Sequence, residues 1–400
     1  MSSPKTDASF WGGYVLRYSL LGVCALLLAA SSTRAQSLPD AAKDSPVPAA
    51  PVLAAESYLL LDFTSGDALA ESRADEALEP ASLTKLMTAY VVFGELKAGR
   101  IALHDQVHVS EKAWRMRGSR MFIEVDTEVA VEALIQGMIV QSGNDASVAL
   151  AEHIAGSEES FVELMNEHAA RLGLTQTVYR NTTGLPARGH MSSARDSARL
   201  AYALIREFPD YYAWYSQREF TYNNIKQHNR NALLWRDDSV DGMKTGYTSR
   251  AGYCLVSSAE RSGMRLIAVV MGMDTPKART AGSQALLNYG FEHFERRKLF
   301  SRGDAVTAAR VWKGEPELAT LGVAHDLYVT VPRGSRVPLI ADTEMPTELV
   351  APLPAQGQIG ELGIWLQGRK LLSEPLVVLH AVPQGGLWTR LKDGITLWLD

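Results

Sequence analysis

Glu79-Pro80-Ala81-Ser82-Leu83-Thr84-Lys85-Leu86-Met87-Thr88, residues 79–88, joins a serine to a lysine three positions on and leads into an apolar run. Residues three apart share one face of a helix, so Ser82 and Lys85 are expected side by side. Pro80 suits the start of a helix. Leu83, Leu86, Met87, Ala89, Tyr90, Val91 and Phe93 read as a buried one. Ser82 then belongs in the first turn, where backbone N–H groups and the helix dipole favour negative charge. A serine hydroxyl is a weak nucleophile at neutral pH and needs a base in hydrogen-bond reach. Lys85 can be that base if the helix field and burial push it toward its neutral form.

Two more motifs follow in order. Ser142-Gly143-Asn144 begins 60 residues after Ser82, and Lys244-Thr245-Gly246 begins 102 residues after Ser142. Singly each is bland: S-x-x-K occurs on many helices, Ser-Gly-Asn is an ordinary turn or cap, and Lys-Thr-Gly is an ordinary strand end. Together they describe an active-site serine without a histidine base.

Composition narrows the alternatives. The 400 residues are 46% hydrophobic and 21% charged, as in ordinary globular proteins, and the length points to two or three domains. A net charge of −5 without a basic run supplies no footprint for nucleic acid. The nine histidines are scattered, without zinc-site spacing or a His-Glu-x-x-His run, so no metal and no cofactor is expected.

At the N-terminus Arg17 precedes an apolar run over 20–30, and Thr33-Arg34-Ala35 offers small residues for cleavage before Gln36. Residues 1–35 read as a secretory signal peptide, too short for a comfortable transmembrane helix. Residues 36–54, rich in Ala, Pro and Asp, read as a flexible lead-in. After cleavage only Cys254 remains, in the apolar run Tyr253-Cys254-Leu255-Val256, and it is expected as a buried structural thiol.

Residues 55–300 read as one α+β domain, with helices on an antiparallel sheet. Strands are expected at 55–63 and 68–71, a mostly helical stretch at 81–206, strands at 244–248, 252–259 and 266–272, and a helix at 284–294. Ser192 to Asp196 reads as a helix cap. Residues 301–382, with short strands between Pro and Gly turns, read as a small all-β domain. In the last segment, 383–400, Leu387, Leu391, Ile395 and Trp398 form a helical stripe, with Arg390, Lys392 and Asp393 away from it. A short amphipathic helix with two tryptophans suits a membrane interface; docking on the β domain is the alternative.

The three motifs in this order form the signature of active-site serine penicillin-recognising enzymes. The chain resembles the low-molecular-mass penicillin-binding proteins, the serine-type D-alanyl-D-alanine carboxypeptidases. The likeness runs from about residue 55 to the end and includes 79–88, 141–146, 241–248 and Val329-Thr330-Val331-Pro332-Arg333-Gly334. It implies a β-lactamase/transpeptidase-like catalytic domain, a β-rich stalk and a terminal anchor on the periplasmic face of the inner membrane. Carried over by residue, Ser82 is the nucleophile, Lys85 its general base and Ser142 a proton shuttle helped by Lys244. Asn144 binds the substrate amide and orients Lys85. Thr245, beside Gly246, and Arg279 hold the terminal carboxylate. The backbone N–H groups of Ser82 and Tyr247 form the oxyanion hole. Tyr247 is a departure, since a histidine is common there.

The implied partners are peptidoglycan stem peptides, β-lactams as covalent inhibitors, and a membrane surface. The implied reaction is removal of the terminal D-alanine from a stem pentapeptide. A DD-endopeptidase uses the same machinery. A class A-like β-lactamase fits less well, because no glutamate lies between His168 and Arg206 and the sole carboxylate there, Asp196, is explained by a helix cap. A penicillin-binding sensor would need a second apolar segment, and the chain has none of about 20 residues.

Overall fold

The computed structural model describes residues 47–399; the signal-peptide reading and most of the lead-in lie outside them. The chain opens with β1 (Ser57–Asp62) and β2 (Ala68–Ser72), then a 3-10 turn at Ala81–Thr84 runs straight into α1 (Lys85–Lys97). The short hairpin β3 (Gln106–His108) and β4 (Glu128–Ala130) flanks α2 (Glu111–Trp114). Then come α3 (Val131–Val140), α4 (Asn144–Ala155), α5 (Glu158–Arg171), α6 (Ala194–Glu207), α7 (Pro209–Tyr212) and the hairpin β5 (Glu219–Tyr222) and β6 (Ile225–His228). The chain returns to the first sheet through β7 (Val240–Thr248), β8 (Gly252–Arg261) and β9 (Met264–Met273), and closes the domain with α8 (Pro276–His293). The sheet is antiparallel in the order β2-β1-β9-β8-β7, which leaves β7, the bearer of Lys244-Thr245-Gly246, on an edge.

Period-two alternation divides the sheet between two cores. Ile267, Val269 and Met271 join Leu59 and Leu61 and the α1 residues Leu86 and Val91 in one. Leu266, Ala268 and Val270 join Tyr58 and Leu60 and the α8 residues Leu286 and Leu287 in the other. Helices therefore cover both faces, and each large apolar side chain so buried contributes about 1.5–3 kcal/mol. Because α1 is apolar all round, it is sunk between the sheet and the other helices.

The helical stretch is less continuous than expected. The hairpin β3–β4 and the irregular segments 115–127 and 173–193 interrupt it. Helix α8 starts eight residues before the expected Gln284, because its opening Pro276-Lys277-Ala278-Arg279 carries no apolar period. Thr275 caps it by accepting from the Ala278 N–H, and Pro276 occupies the first turn. Residues 47–53 lack regular structure but lie against α8: Val47, Ala50 and Leu53 pack there, and Tyr289 donates to the Pro48 carbonyl.

The C-terminal part begins without a linker. β10 (Phe294–Phe300) follows α8 and pairs with β13 (Leu327–Pro332). A six-stranded sheet, ordered β14-β16-β17-β12-β11-β15, comprises β11 (Ala305–Trp312), β12 (Leu318–Gly322), β14 (Ile340–Glu344), β15 (Leu349–Val350), β16 (Gln358–Leu366) and β17 (Arg369–Val378). Arg369 pairs with Asp67 in the β1–β2 turn at 2.8 Å.

The last helix, α9 (Leu387–Leu399), docks through its polar side. Asp393, away from the apolar stripe as expected, is 1% exposed and accepts from the Lys313 N–H at 2.6 Å. Leu387, Trp388, Leu391, Ile395 and Trp398 are all exposed, with Trp388 at 86% and Trp398 at 84%. At 3.6 residues per turn these five fall within an arc of about 100°, opposite Asp393.

Candidate active site

Ser82 lies in the 3-10 turn and Lys85 begins α1, so the expected shared face is realised one turn before the α-helix proper. Lys85 is buried. Its Nζ lies 2.6 Å from Asn144 Oδ1, 2.7 Å from the Thr183 carbonyl and 3.3 Å from Ser82 Oγ. A neutral amine has two N–H bonds and one lone pair. The two carbonyl oxygens take the N–H bonds, which leaves the lone pair facing the Ser82 hydroxyl. Burial pushes the Lys85 pKa down to about 7; the Asp145 carboxylate opposes this and Arg230 adds to it. Burial is the largest cause of this shift.

Ser142 connects α3 to α4 with φ of +65°, a backbone region that non-glycine residues seldom occupy. Among the described residues its buried Oγ has no hydrogen-bond partner. Asn144, the first residue of α4, is held by Nδ2 donating to the Arg117 carbonyl at 2.5 Å. Sequence reading treats Asp145 only as a helix residue. Its carboxylate in fact accepts from the N–H groups of Met121 (3.0 Å) and Phe122 (2.9 Å), fastening the loop that holds Asn144.

On β7, Lys244 is buried and its Nζ donates to the Thr245 carbonyl at 3.0 Å. Burial, with the charges of Lys85, Arg230 and Arg279, holds its pKa well below the ordinary lysine value. Lys244 and Ser142 are not hydrogen-bonded to each other. A Cβ on Gly246 would lie 3.1 Å from the Pro80 carbonyl and 3.2 Å from Ser82 N, so glycine lets β7 press against the Ala81–Thr84 turn. Tyr247 is 54% exposed and stacks on Tyr253, with ring centroids 4.2 Å apart. Arg279 reaches up from α8, its guanidinium over the Tyr253 ring and Nη1 3.4 Å from the Gly246 carbonyl; its Nε has no partner among the described residues.

Ser82, Ser142, Asn144, Thr245, Gly246, Tyr247 and Arg279 line one cavity of about 520 Å³. Lys85 and Lys244 stand behind its wall. Thr183, Leu185, Arg230 and Tyr253 also line it. Sequence reading missed these four, because they come from segments without a chemical motif. Among the described lining residues there is no carboxylate, and Arg230 and Arg279 are the charged ones. Asp196 does not cap its own helix with its carboxylate; Ser193 is the cap, and the carboxylate accepts from Gln176 N (2.8 Å) and Thr177 Oγ1 (2.7 Å). Cys254 is buried as expected, its thiol pushed up to about 11 by burial.

A serine beside a buried lysine base, in a cavity whose charged lining is cationic, defines a serine acyl-transfer enzyme suited to a substrate that ends in a carboxylate. The D-alanyl-D-alanine carboxypeptidase family, peptidase family S11, matches residues 44–275, and the penicillin-binding protein 5 C-terminal domain matches residues 294–384. The chain belongs to this family of serine-type D-alanyl-D-alanine carboxypeptidases. It is 44% identical over 359 residues to D-alanyl-D-alanine carboxypeptidase DacA of Escherichia coli (strain K12), covering 88% of this chain and 89% of the relative. Penicillin binding protein 5 from Haemophilus influenzae superposes with a TM-score of 0.76 at 43% identity, covering 84% of this chain and 100% of that one. Penicillin-binding protein D2 from Listeria monocytogenes, solved in an ampicillin-bound form, superposes with a TM-score of 0.56 at 30% identity, covering 60% of this chain and 98% of that one.

Proposed function

We propose that this protein removes the terminal D-alanine from peptidoglycan stem pentapeptides through an acyl-enzyme on Ser82. Lys85 Nζ takes the Ser82 proton as Oγ attacks the carbonyl of the penultimate D-alanine. The oxyanion faces the N–H groups of Ser82 and Tyr247. Ser142, whose hydroxyl has no partner among the described residues, gives its proton to the leaving amine and takes in its place the proton that Lys85 had removed from Ser82, so that Lys85 is neutral again. D-Alanine departs, and water hydrolyses the ester with Lys85 again as base. Thr245 and Arg279 hold the carboxylate of the departing residue. The observation that carries this reading is the Lys85 amine, with two acceptors filled and its third direction on Ser82 Oγ. Mass analysis of a pentapeptide muropeptide and a cross-linked dimer, each incubated with the protein, tests it. The expected product is the tetrapeptide with the dimer intact; a split dimer assigns endopeptidase activity instead.

β-Lactams acylate the same serine, a reading supported by the ampicillin-bound relative. Deacylation of the penicilloyl ester is slow, because no carboxylate among the described lining residues joins Lys85 in activating water, and Asp196 is engaged elsewhere. A fluorescent penicillin is expected to label the protein stoichiometrically and persist, and nitrocefin turnover on the β-lactamase scale contradicts this.

For Arg279→Ala the expected result is a kcat/KM for the pentapeptide lower by about ten- to a hundredfold, as for loss of a charged hydrogen bond of about 1.5–3 kcal/mol. Acylation by penicillin falls less. Unchanged rates with both substrates assign Arg279 a role outside carboxylate binding.

The same proposal sets the protein on the periplasmic face of the inner membrane, exported by its N-terminal segment and held peripherally by α9. Support comes from the exposed apolar arc of Leu387, Trp388, Leu391, Ile395 and Trp398. Among the described residues no helix is long and apolar enough to cross a membrane. With 13 residues, α9 is about 20 Å long, against a hydrocarbon core of about 30 Å, so it lies flat with its tryptophans at headgroup depth. Deleting residues 384–400 is expected to release the processed protein from membranes without loss of activity on soluble substrate. Fractionation beside a Trp388→Ala, Trp398→Ala double variant checks this, and a truncated protein that stays with membranes contradicts it.

A further inference from the structure

The Ala81–Ser82 peptide unit carries the Ala81 carbonyl at one end and the Ser82 N–H at the other. The unit is planar, so whatever fixes the carbonyl also aims the N–H. Ala81 has φ of +47°, uncommon for a residue with a side chain, and such a conformation persists only where its surroundings hold it.

Two side chains do the holding. Thr84 Oγ1 donates to the Ala81 carbonyl at 2.8 Å. His190 Nε2 lies 2.7 Å from Thr84 Oγ1, and His190 Nδ1 accepts from the Arg180 N–H at 3.0 Å. A backbone N–H can only donate, so the ring proton of the neutral imidazole resides on Nε2 and is given to Thr84 Oγ1. The one hydroxyl proton of Thr84 is then committed to Ala81. The chain of bonds runs in a single direction from the Arg180 backbone to the nucleophile turn. Burial, aided by the charges of Arg180 and Lys85, pushes the His190 pKa down to about 4, which keeps this pattern at neutral pH. The backbone at Gly184, φ +82°, closes on the same carbonyl: a Cβ there would lie 1.8 Å from Ala81 O.

We propose that Thr84 and His190 are positioning residues that aim the oxyanion-hole N–H of Ser82. The proposal rests on the reading of Ser82 as nucleophile. Its chemistry is that an oxyanion donor acts only if it points at the developing charge, and losing one such donor costs about 10²–10³ in kcat.

The test uses the penicilloyl adduct of the processed full-length protein, with infrared spectroscopy of its ester carbonyl and stopped-flow acylation. In Thr84→Val the ester band is expected to move to higher wavenumber. Acylation and pentapeptide kcat are expected to fall by about tenfold or more, a part of the full loss of one donor, with KM little changed. Thr84→Ser is expected to restore both. A folded Thr84→Val protein that acylates at the parent rate, or that slows with its ester band unmoved, overturns the proposal. Should Thr84→Val fail to fold, His190→Phe frees the Thr84 hydroxyl to turn away from Ala81. The same shift and slowing are then expected, and a parent rate or an unmoved band in that variant overturns the proposal. Peptide mapping of the adduct keeps the two readings apart. Acyl group on Ser82 with an unmoved band overturns the positioning role alone, whereas an acyl group elsewhere overturns the nucleophile assignment.

Discussion

Ser82→Ala is expected to abolish D-alanine release and covalent labelling by a fluorescent penicillin together. Both reactions need the same oxygen, and the loss of a serine nucleophile in such an enzyme is on the order of a millionfold in kcat. The fold should survive, because Ser82 Oγ makes only long contacts, 3.5 Å to the Thr183 carbonyl and 3.3 Å to Lys85 Nζ. The informative alternative outcome is labelling that persists. Ser142 is another serine lining the cavity, with an unpartnered hydroxyl, and an adduct there would overturn the assignment of roles.

The second large effect belongs to the base. Lys85→Met keeps an unbranched side chain, one atom shorter, and removes the amine lone pair, and acylation is expected to fall by about 10²–10⁴, the range for general base catalysis. In the parent protein the amine must be neutral to accept the Ser82 proton. With its pKa lowered to about 7, the acylation rate is expected to rise with pH up to that value and to level off above it. Below it, each pH unit lowers the neutral fraction of the base about tenfold. Stopped-flow acylation from acid to mildly alkaline pH measures this. The Lys85→Met variant should lack the rising limb, and a parent rate that is flat across the same range would contradict a lysine base.

Much of the site was legible because its chemistry is local. Ser82 and Lys85 are three residues apart on one turn, and Ser142 and Asn144 straddle the junction of α3 and α4. The apolar residues of β8 and β9 announced adjacent strands of an antiparallel sheet. What stayed hidden is held by partners distant in sequence. Thr183 enters through a backbone carbonyl 98 positions from Lys85, which no side-chain pattern reports. Asp145 fastens a loop 24 residues away by accepting backbone N–H groups. Tyr253 matters through the ring it offers to Tyr247 and Arg279. The polar first turns of α8 concealed its start for a similar reason: Arg279 faces the cavity instead of a core. At the other end, the stripe on α9 was readable, whereas the burial of Asp393 depends on the Lys313 backbone 80 residues upstream.

The most direct test of a lysine-activated Ser82 is to trap the acyl-enzyme and find the atom that carries it. Trypsin cuts after Arg73 and Lys85, giving a peptide over 74–85 in which Ser82 is the only serine and Thr84 the only other hydroxyl residue. After brief exposure to a penicillin, mass spectrometry with fragmentation is predicted to find one adduct per protein, on that peptide and on Ser82. In Lys85→Met, whose tryptic peptide runs over 74–97, the Ser82 adduct should form far more slowly. An adduct on any other residue, or one that forms on Ser82 at the parent rate without Lys85, would contradict the account.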